Sequence, residues 1–182
     1  MKKVLLTLCL FSFLTIKGQE SQLQLSIYQD LRLLFFGDER GNSALTPNMV
    51  LRLDAEAFKF KKHQIHLSFG IEYADLNSSN FLRFFLGFGH TFELSFLDKF
   101  AFGTFINHGI IFRGKGSFFG NKLTDEGNFM GLSINFEMSY PIAKKLRLIG
   151  IIQTVDRRDL TIRFNATDRI RTSGFMGVKY SF

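Results

Sequence analysis

Tryptophan is absent from this 182-residue chain, cysteine occurs once and proline twice. The single cysteine, Cys9, lies inside an N-terminal apolar stretch. If that stretch is removed on export, the remaining chain has no thiol, which excludes disulfides and thiolate chemistry. Val4–Ile16, the apolar stretch itself, is about a dozen residues long and too short to cross a bilayer as a helix. No strong excess of one charge is present either. The formal charge of +7 includes Lys2, Lys3 and Lys17 and falls to +4 without them, too weak and dispersed for a nucleic-acid partner. No catalytic, metal or nucleotide motif stands out, so no cofactor is expected.

What is present begins with an export signal. Lys2 and Lys3 form a basic start, the apolar run follows, and Gly18 is a small residue at a cleavage point that leaves Gln19 as the new N-terminus. Cys9 does not read as a lipoprotein cysteine, because Leu8 stands where a small residue is needed. The expected division is therefore 1–18 signal peptide and 19–182 mature domain. The chain is rich in phenylalanine (24) and glycine (16), nearly all of them in that domain.

After the signal the pattern has period two, not the helical 3.6. From Met130 to Tyr140, one face reads Met130, Leu132, Ile134, Phe136, Met138 and Tyr140, and the other Gly131, Ser133, Asn135, Glu137 and Ser139. Successive strand side chains point to opposite faces, so this strand has one apolar and one polar wall. The same split recurs over Leu23–Phe35, Met49–Glu56, Ile65–Tyr73, Leu82–Gly89, Phe100–Arg113 and Met176–Phe182. Leu146–Asp156 is the least clear, because Ile149 and Ile151 blur the alternation. Eight strands result. The spacers at Lys61–Gln64, Ser95–Lys99 and Pro141–Lys145 are short, Gly37–Pro47, Gly114–Gly127 and Asp156–Asp168 are long, and Asp75–Asn80 is intermediate. Short turns on the periplasmic side and longer loops outside are the habit of outer-membrane barrels. Starting the first strand in the periplasm puts every short turn there and returns the C-terminus to the same side. A charge facing lipid at the midplane costs roughly 2–4 kcal/mol, so the apolar walls must face out and the charged walls in.

The last strand carries Val178, Tyr180 and Phe182 on one face, with Phe182 terminal. This resembles the C-terminal assembly signal of outer-membrane barrels, which the barrel-assembly machinery reads by strand pairing. With the export signal and the alternating strands, the mature chain resembles the small OmpA/OmpX-like outer-membrane β-barrel class (outer membrane protein beta-barrel domain). The resemblance implies an all-β, eight-stranded antiparallel transmembrane barrel of up-and-down meander. It implies residence in the Gram-negative outer membrane with both termini periplasmic. Interfacial belts in that class usually include Trp, so Phe and Tyr must fill the role here.

The expected lumen network is Asp30, Arg32, Arg52, Asp54, Glu56, Glu72, Arg83, Glu137, Arg147 and Lys179. Both signs are balanced, and an eight-stranded barrel is only wide enough for its own side chains, so mutual pairing is expected rather than a pore. Inward glycines are expected to make room for the long charged chains. His66 and Ser68 share a face, a pattern that lipid A deacylases use with a carboxylate, but here the pair points inward near the periplasmic end, away from an outer-leaflet substrate. His90, Thr104 and His108 fall on the lipid wall, where polar groups need a partner. They are the candidate lateral contact with a larger outer-membrane complex. Arg113, Lys115, Arg157, Arg158, Arg163 and Arg169 flank the long loops and are candidate contacts for lipopolysaccharide phosphate, which Arg binds as a bidentate fork. The leading functional reading is non-enzymatic: a structural, surface-interaction or accessory-subunit barrel in contact with outer-membrane lipid and lipopolysaccharide. The alternatives are a lipid-modifying enzyme of acyl hydrolase or transferase type and a narrow channel.

Overall fold

The structure is a computed structural model that describes residues 22–38, 41–76, 79–94, 99–114, 128–157 and 169–182. The expected signal peptide and its boundary at residue 18 lie outside the described residues. Eight strands follow one another: β1 (Leu23–Asp30), β2 (Asn48–Phe60), β3 (His63–Leu76), β4 (Ser79–Glu93), β5 (Ala101–Gly114), β6 (Asn128–Ala143), β7 (Leu146–Asp156) and β8 (Ile170–Ser181). Each pairs antiparallel with its neighbours in sequence, and β1 pairs with β8, so the sheet closes into a barrel with no free edge. The closing seam runs to the end of the chain, where the Phe182 amide donates to the Leu23 carbonyl at 3.0 Å.

The walls are inverted relative to a soluble barrel. Ile27, Leu51, Phe69, Leu86, Ile106, Leu132, Phe136 and Ile152 are exposed on the outside. Arg52, Asp54, Glu72, Arg83, Glu137 and Lys179 are buried inside. This polarity satisfies a hydrocarbon surround and no other.

Three features depart from simple alternation. First, β1 stops at Asp30 instead of running to Phe35. A short helix α1 (Leu31–Phe35) follows, its N-terminus capped by the Asp30 carboxylate, which accepts from the Arg32 and Leu33 amides at 2.9 and 3.1 Å. α1 turns Leu33 into the barrel mouth, where it is fully buried. Second, β2 runs past Glu56 to Phe60 through a bulge between Glu56 and Phe58. The extra residue exchanges the faces, putting Phe58 and Phe60 on the outer wall and Lys59 at the lumen mouth. A second bulge lies between Pro141 and Ala143. Third, the Asp75–Asn80 spacer is mostly strand, because β3 and β4 extend until Leu76 pairs with Ser79.

Candidate functional site: a filled lumen inside an apolar wall

Two ion-pair clusters occupy the interior. In the first, Arg52 lies between Asp54, at 2.9 Å, and Glu137, at 2.5 Å. Glu137 also takes Lys179, and the Ser68 hydroxyl donates to Asp54 at 2.6 Å. In the second, Arg83 meets Glu72 at 2.8 Å, and the Gln153 amide bridges them, donating to Glu72 at 3.1 Å and accepting from Arg83 at 3.4 Å. Four strands contribute to the first cluster (β2, β3, β6 and β8), so its bonds cross the lumen and tie opposite walls together.

Aromatic rings complete both clusters. The Arg52 guanidinium lies 3.9 Å from the centre of the Phe105 ring, and that of Arg83 lies 4.9 Å from Phe85. A cation desolvated against a ring face is stabilised by the ring's quadrupole. Sequence reasoning passed over Phe85, Phe105 and Phe175, although each sits on the inward parity of its strand. It placed Tyr28 correctly on the inward wall. The glycines serve these rings rather than the charged chains alone. A Cβ at Gly70 would lie 2.2 Å from the Phe85 ring, and one at Gly89 would lie 2.1 Å from Phe105. Tyr28, Val50, Phe85, Ile149, Ile151 and Phe175 pack into one apolar cluster inside the barrel.

Solvent enters from both ends, into two separate cavities. At the loop end a cavity of about 740 Å³ is lined by Leu33, Glu72, Phe81, Gln153 and Arg157 among others. At the opposite end a cavity of about 500 Å³ reaches Glu137 and Lys179.

The expected lumen residues divide as follows. Asp30, Arg52, Asp54, Glu56, Glu72, Arg83, Glu137 and Lys179 are buried inside. Arg32 is not: it belongs to α1, its side chain is 60% exposed, and its contact with Asp30 is long at 3.9 Å. The helix rotates it off the inward wall that a continuing strand would have given it. Arg147 lies at the mouth near the termini, half-buried, donating to the Ser139 hydroxyl and to the carbonyls of Ser139 and Lys99. His66 and Ser68 share a face but serve different partners. His66 Nε2 meets the Thr91 hydroxyl at 2.9 Å and Ser68 donates to Asp54, so the Ser68 hydroxyl is not presented to the His66 imidazole as a nucleophile to its base. Among the described residues, no group of three or more His, Cys, Asp or Glu could hold a metal.

On the outer wall His90 pairs with Thr104 across β4 and β5. His90 is not an isolated polar group: its ring stacks on His63, and His63 Nδ1 and His90 Nε2 are 3.0 Å apart. Its level is that of the short β2–β3 turn, since Ile65 is its partner in β3 and Phe60 opposes His63 in β2. His108 differs. It lies at mid-strand, opposite Leu86 and Leu132, and is exposed. Of the loop cations, Lys115, Arg158 and Arg163 lie outside the described residues, as does the side chain of Arg113. Arg169 is exposed and paired with Asp156 at 3.3 Å. Arg157 is buried in the mouth, lining the loop-end cavity, with its guanidinium 4.0 Å from the Phe81 ring centre.

Among solved structures, the barrel is similar to the Yersinia pestis outer membrane protein Ail in a phospholipid bilayer nanodisc, at 11% identity and a TM-score of 0.54, covering 90% of this chain and 100% of that one. It is also similar to Neisserial surface protein A, at 10% identity and a TM-score of 0.50, covering 89% and 96%. At these identities the likeness is one of fold: an eight-stranded antiparallel transmembrane barrel of the outer-membrane kind. No family model and no curated protein sequence matches the chain.

Proposed function

We propose that this chain is a non-enzymatic barrel of the small OmpA/OmpX-like type, exported by residues 1–18 and resident in the outer membrane through residues 19–182, with both termini in the periplasm. Its role is structural or interactive: it presents loops outside and a wall to its neighbours within the membrane. The observation that carries this reading is the inverted polarity of a closed barrel whose interior is filled by cross-lumen ion pairs. Two surfaces are left for partners. The exposed loop cation Arg169, with Arg113, Lys115, Arg158 and Arg163 from the same loops, supports contact with lipopolysaccharide phosphate. His108, an imidazole at mid-height with no partner among the described residues, supports a lateral contact with another membrane protein, because polar contacts in lipid fix orientation at about 1 kcal/mol each. His90 and Thr104 support it less, since His90 already has His63.

The experiment is folding into lipid vesicles, read by the heat-dependent gel shift of an intact barrel. Ile134 is on the outer wall at mid-strand, between Ile106 and Thr154. Ile134→Arg should lose roughly 2–4 kcal/mol of folded stability, whereas Ile134→Phe should fold normally. A soluble barrel would tolerate Ile134→Arg as a surface change, so equal folding of the two variants would refute the membrane reading.

A further inference from the structure

All three short turns at the terminal end of the barrel carry lysine. Lys61-Lys62 joins β2 to β3 between the paired residues Phe60 and His63. Lys144-Lys145 joins β6 to β7 between the paired residues Ala143 and Leu146. Lys99 lies in the β4–β5 connection. All five are exposed. In the closed order β1 to β8, the two Lys-Lys turns are half a circumference apart and Lys99 lies midway between them. The cations therefore span half of the rim, from the β2–β3 turn to the β6–β7 turn, with the β1–β8 seam on the other half. Among the described residues, the exposed acids at this end are Glu93 and the terminal carboxylate of Phe182. Charges at the loop end are of mixed sign, with Asp38, Asp75 and Asp156 beside Arg32 and Arg169.

Backbone preference does not account for the lysine at position 61. Two-residue hairpin turns favour Asn-Gly, Asp-Gly or Gly-Gly, because their central residues take positive φ. Lys61 has a φ of 54°, where its Cβ crowds the following carbonyl. A lysine is thus held where glycine or asparagine would relax the turn, and strain of this kind marks a residue kept for its side chain.

The depth of the lysines identifies what they meet. Just inside the rim, the outer wall carries a column of stacked rings, His63 with Phe92 at 6.3 Å and Phe92 with Phe102 at 6.0 Å, and at the seam Tyr180 packs edge-on to Phe182 at 5.3 Å. The Lys61 ammonium is 5.4 Å from the Phe60 ring centre and that of Lys145 is 6.0 Å from Tyr180. Tyrosine on a membrane wall sits at headgroup level, so the Lys145 ammonium beside Tyr180, and Lys61 in the turn at the same end of the barrel, sit at the level of lipid phosphate.

We propose that this lysine collar binds the phosphodiester headgroups of anionic glycerophospholipids in the leaflet around the terminal end of the barrel. The proposal rests on the membrane reading above and adds a ligand class, a leaflet and a set of residues to it. The attraction is electrostatic, so salt screens it.

The test uses the full chain folded in mixed vesicles of phosphatidylcholine and phosphatidylglycerol, extracted in mild detergent, with retained lipids identified by native mass spectrometry. A variant with Lys61, Lys62, Lys144 and Lys145 all changed to Asn removes the charge and suits the turns, so it should give the same heat-dependent gel shift as wild type. Wild type should retain phosphatidylglycerol several-fold above its share of the vesicle lipid. The variant, and wild type in about 1 M salt, where the Debye length falls to about 3 Å, should retain it near that share. Equal enrichment in wild type and variant would overturn the collar while leaving the membrane barrel intact. Lysine-dependent retention of lipid A instead of phosphatidylglycerol, in vesicles containing both, would place the rim in the opposite leaflet and overturn it as well. Failure of wild type to show a gel shift in any vesicle would remove the membrane reading, and the collar with it.

Discussion

Glu137 binds Arg52 and Lys179 at once, and all three side chains are buried. Removing that carboxylate leaves Lys179 without its buried acid and Arg52 with Asp54 alone. Glu137→Ala should cost about 3–5 kcal/mol, the range for breaking a buried pair from one side, read as a shift in urea unfolding from vesicles. Glu137→Leu with Lys179→Met should recover part of that loss, since the remaining Arg52 keeps Asp54. A single-variant cost below about 1 kcal/mol would mean that solvent reaches these groups and that the network is weak. The acids and bases of this network were legible from parity alone, because period-two alternation assigns each residue a wall. Phe85 and Phe105 were not, although parity places them inward as firmly as Arg83. A polar/apolar split treats an inward ring as an interruption, whereas a buried guanidinium uses it as a face. Arg32 was misplaced for a different reason, which belongs to the next scale.

The segment Leu31–Phe35 has apolar residues at Leu31, Leu33 and Phe35, so the apolar wall of β1 continues through it with Leu34 alone against the alternation. Five residues are too few for a helical period to compete with it. The deciding signal is a single side chain, the Asp30 carboxylate accepting two helix amides, and it was visible only as one more inward acid. The bulge in β2 is equally silent in sequence: Phe58, Lys59 and Phe60 show their faces only when the extra residue is counted against Ile65, Gln64 and His63. The last strand was the most legible element, because its alternation runs to the final residue. The structure also gives Phe182 a physical task, since its amide bonds Leu23 across the seam and its ring packs on Tyr180. Deleting Phe182 should lower the amount of heat-modifiable barrel recovered from the outer membrane, whereas Ser181→Ala should leave it unchanged. A normal yield without Phe182 would show that β1 and β8 close without their last rung.

At the scale of the whole molecule, the lumen decides between a filled barrel and a channel. The two end cavities, about 740 and 500 Å³, both penetrate the barrel. Neither cavity is lined by Arg52 or by the apolar cluster of Tyr28, Val50, Phe85, Ile149, Ile151 and Phe175. An ion crossing that layer would have to shed its water beside apolar side chains, an expense of several kcal/mol or more without replacement ligands. The fixed charges cannot supply those ligands without abandoning each other. Gly70 and Gly89, the cross-strand partners of Phe85 and Phe105, leave room for those rings over the neighbouring strands. Protein inserted into a planar bilayer should therefore show no regular unitary conductance at moderate voltage. Phe85→Ala with Phe175→Ala removes two rings of the same cluster and should admit brief, irregular current if the layer is the barrier. Steady, uniform steps from wild type would refute the filled-lumen account, and their loss on heating the sample would attribute them to the folded barrel and not to a contaminant.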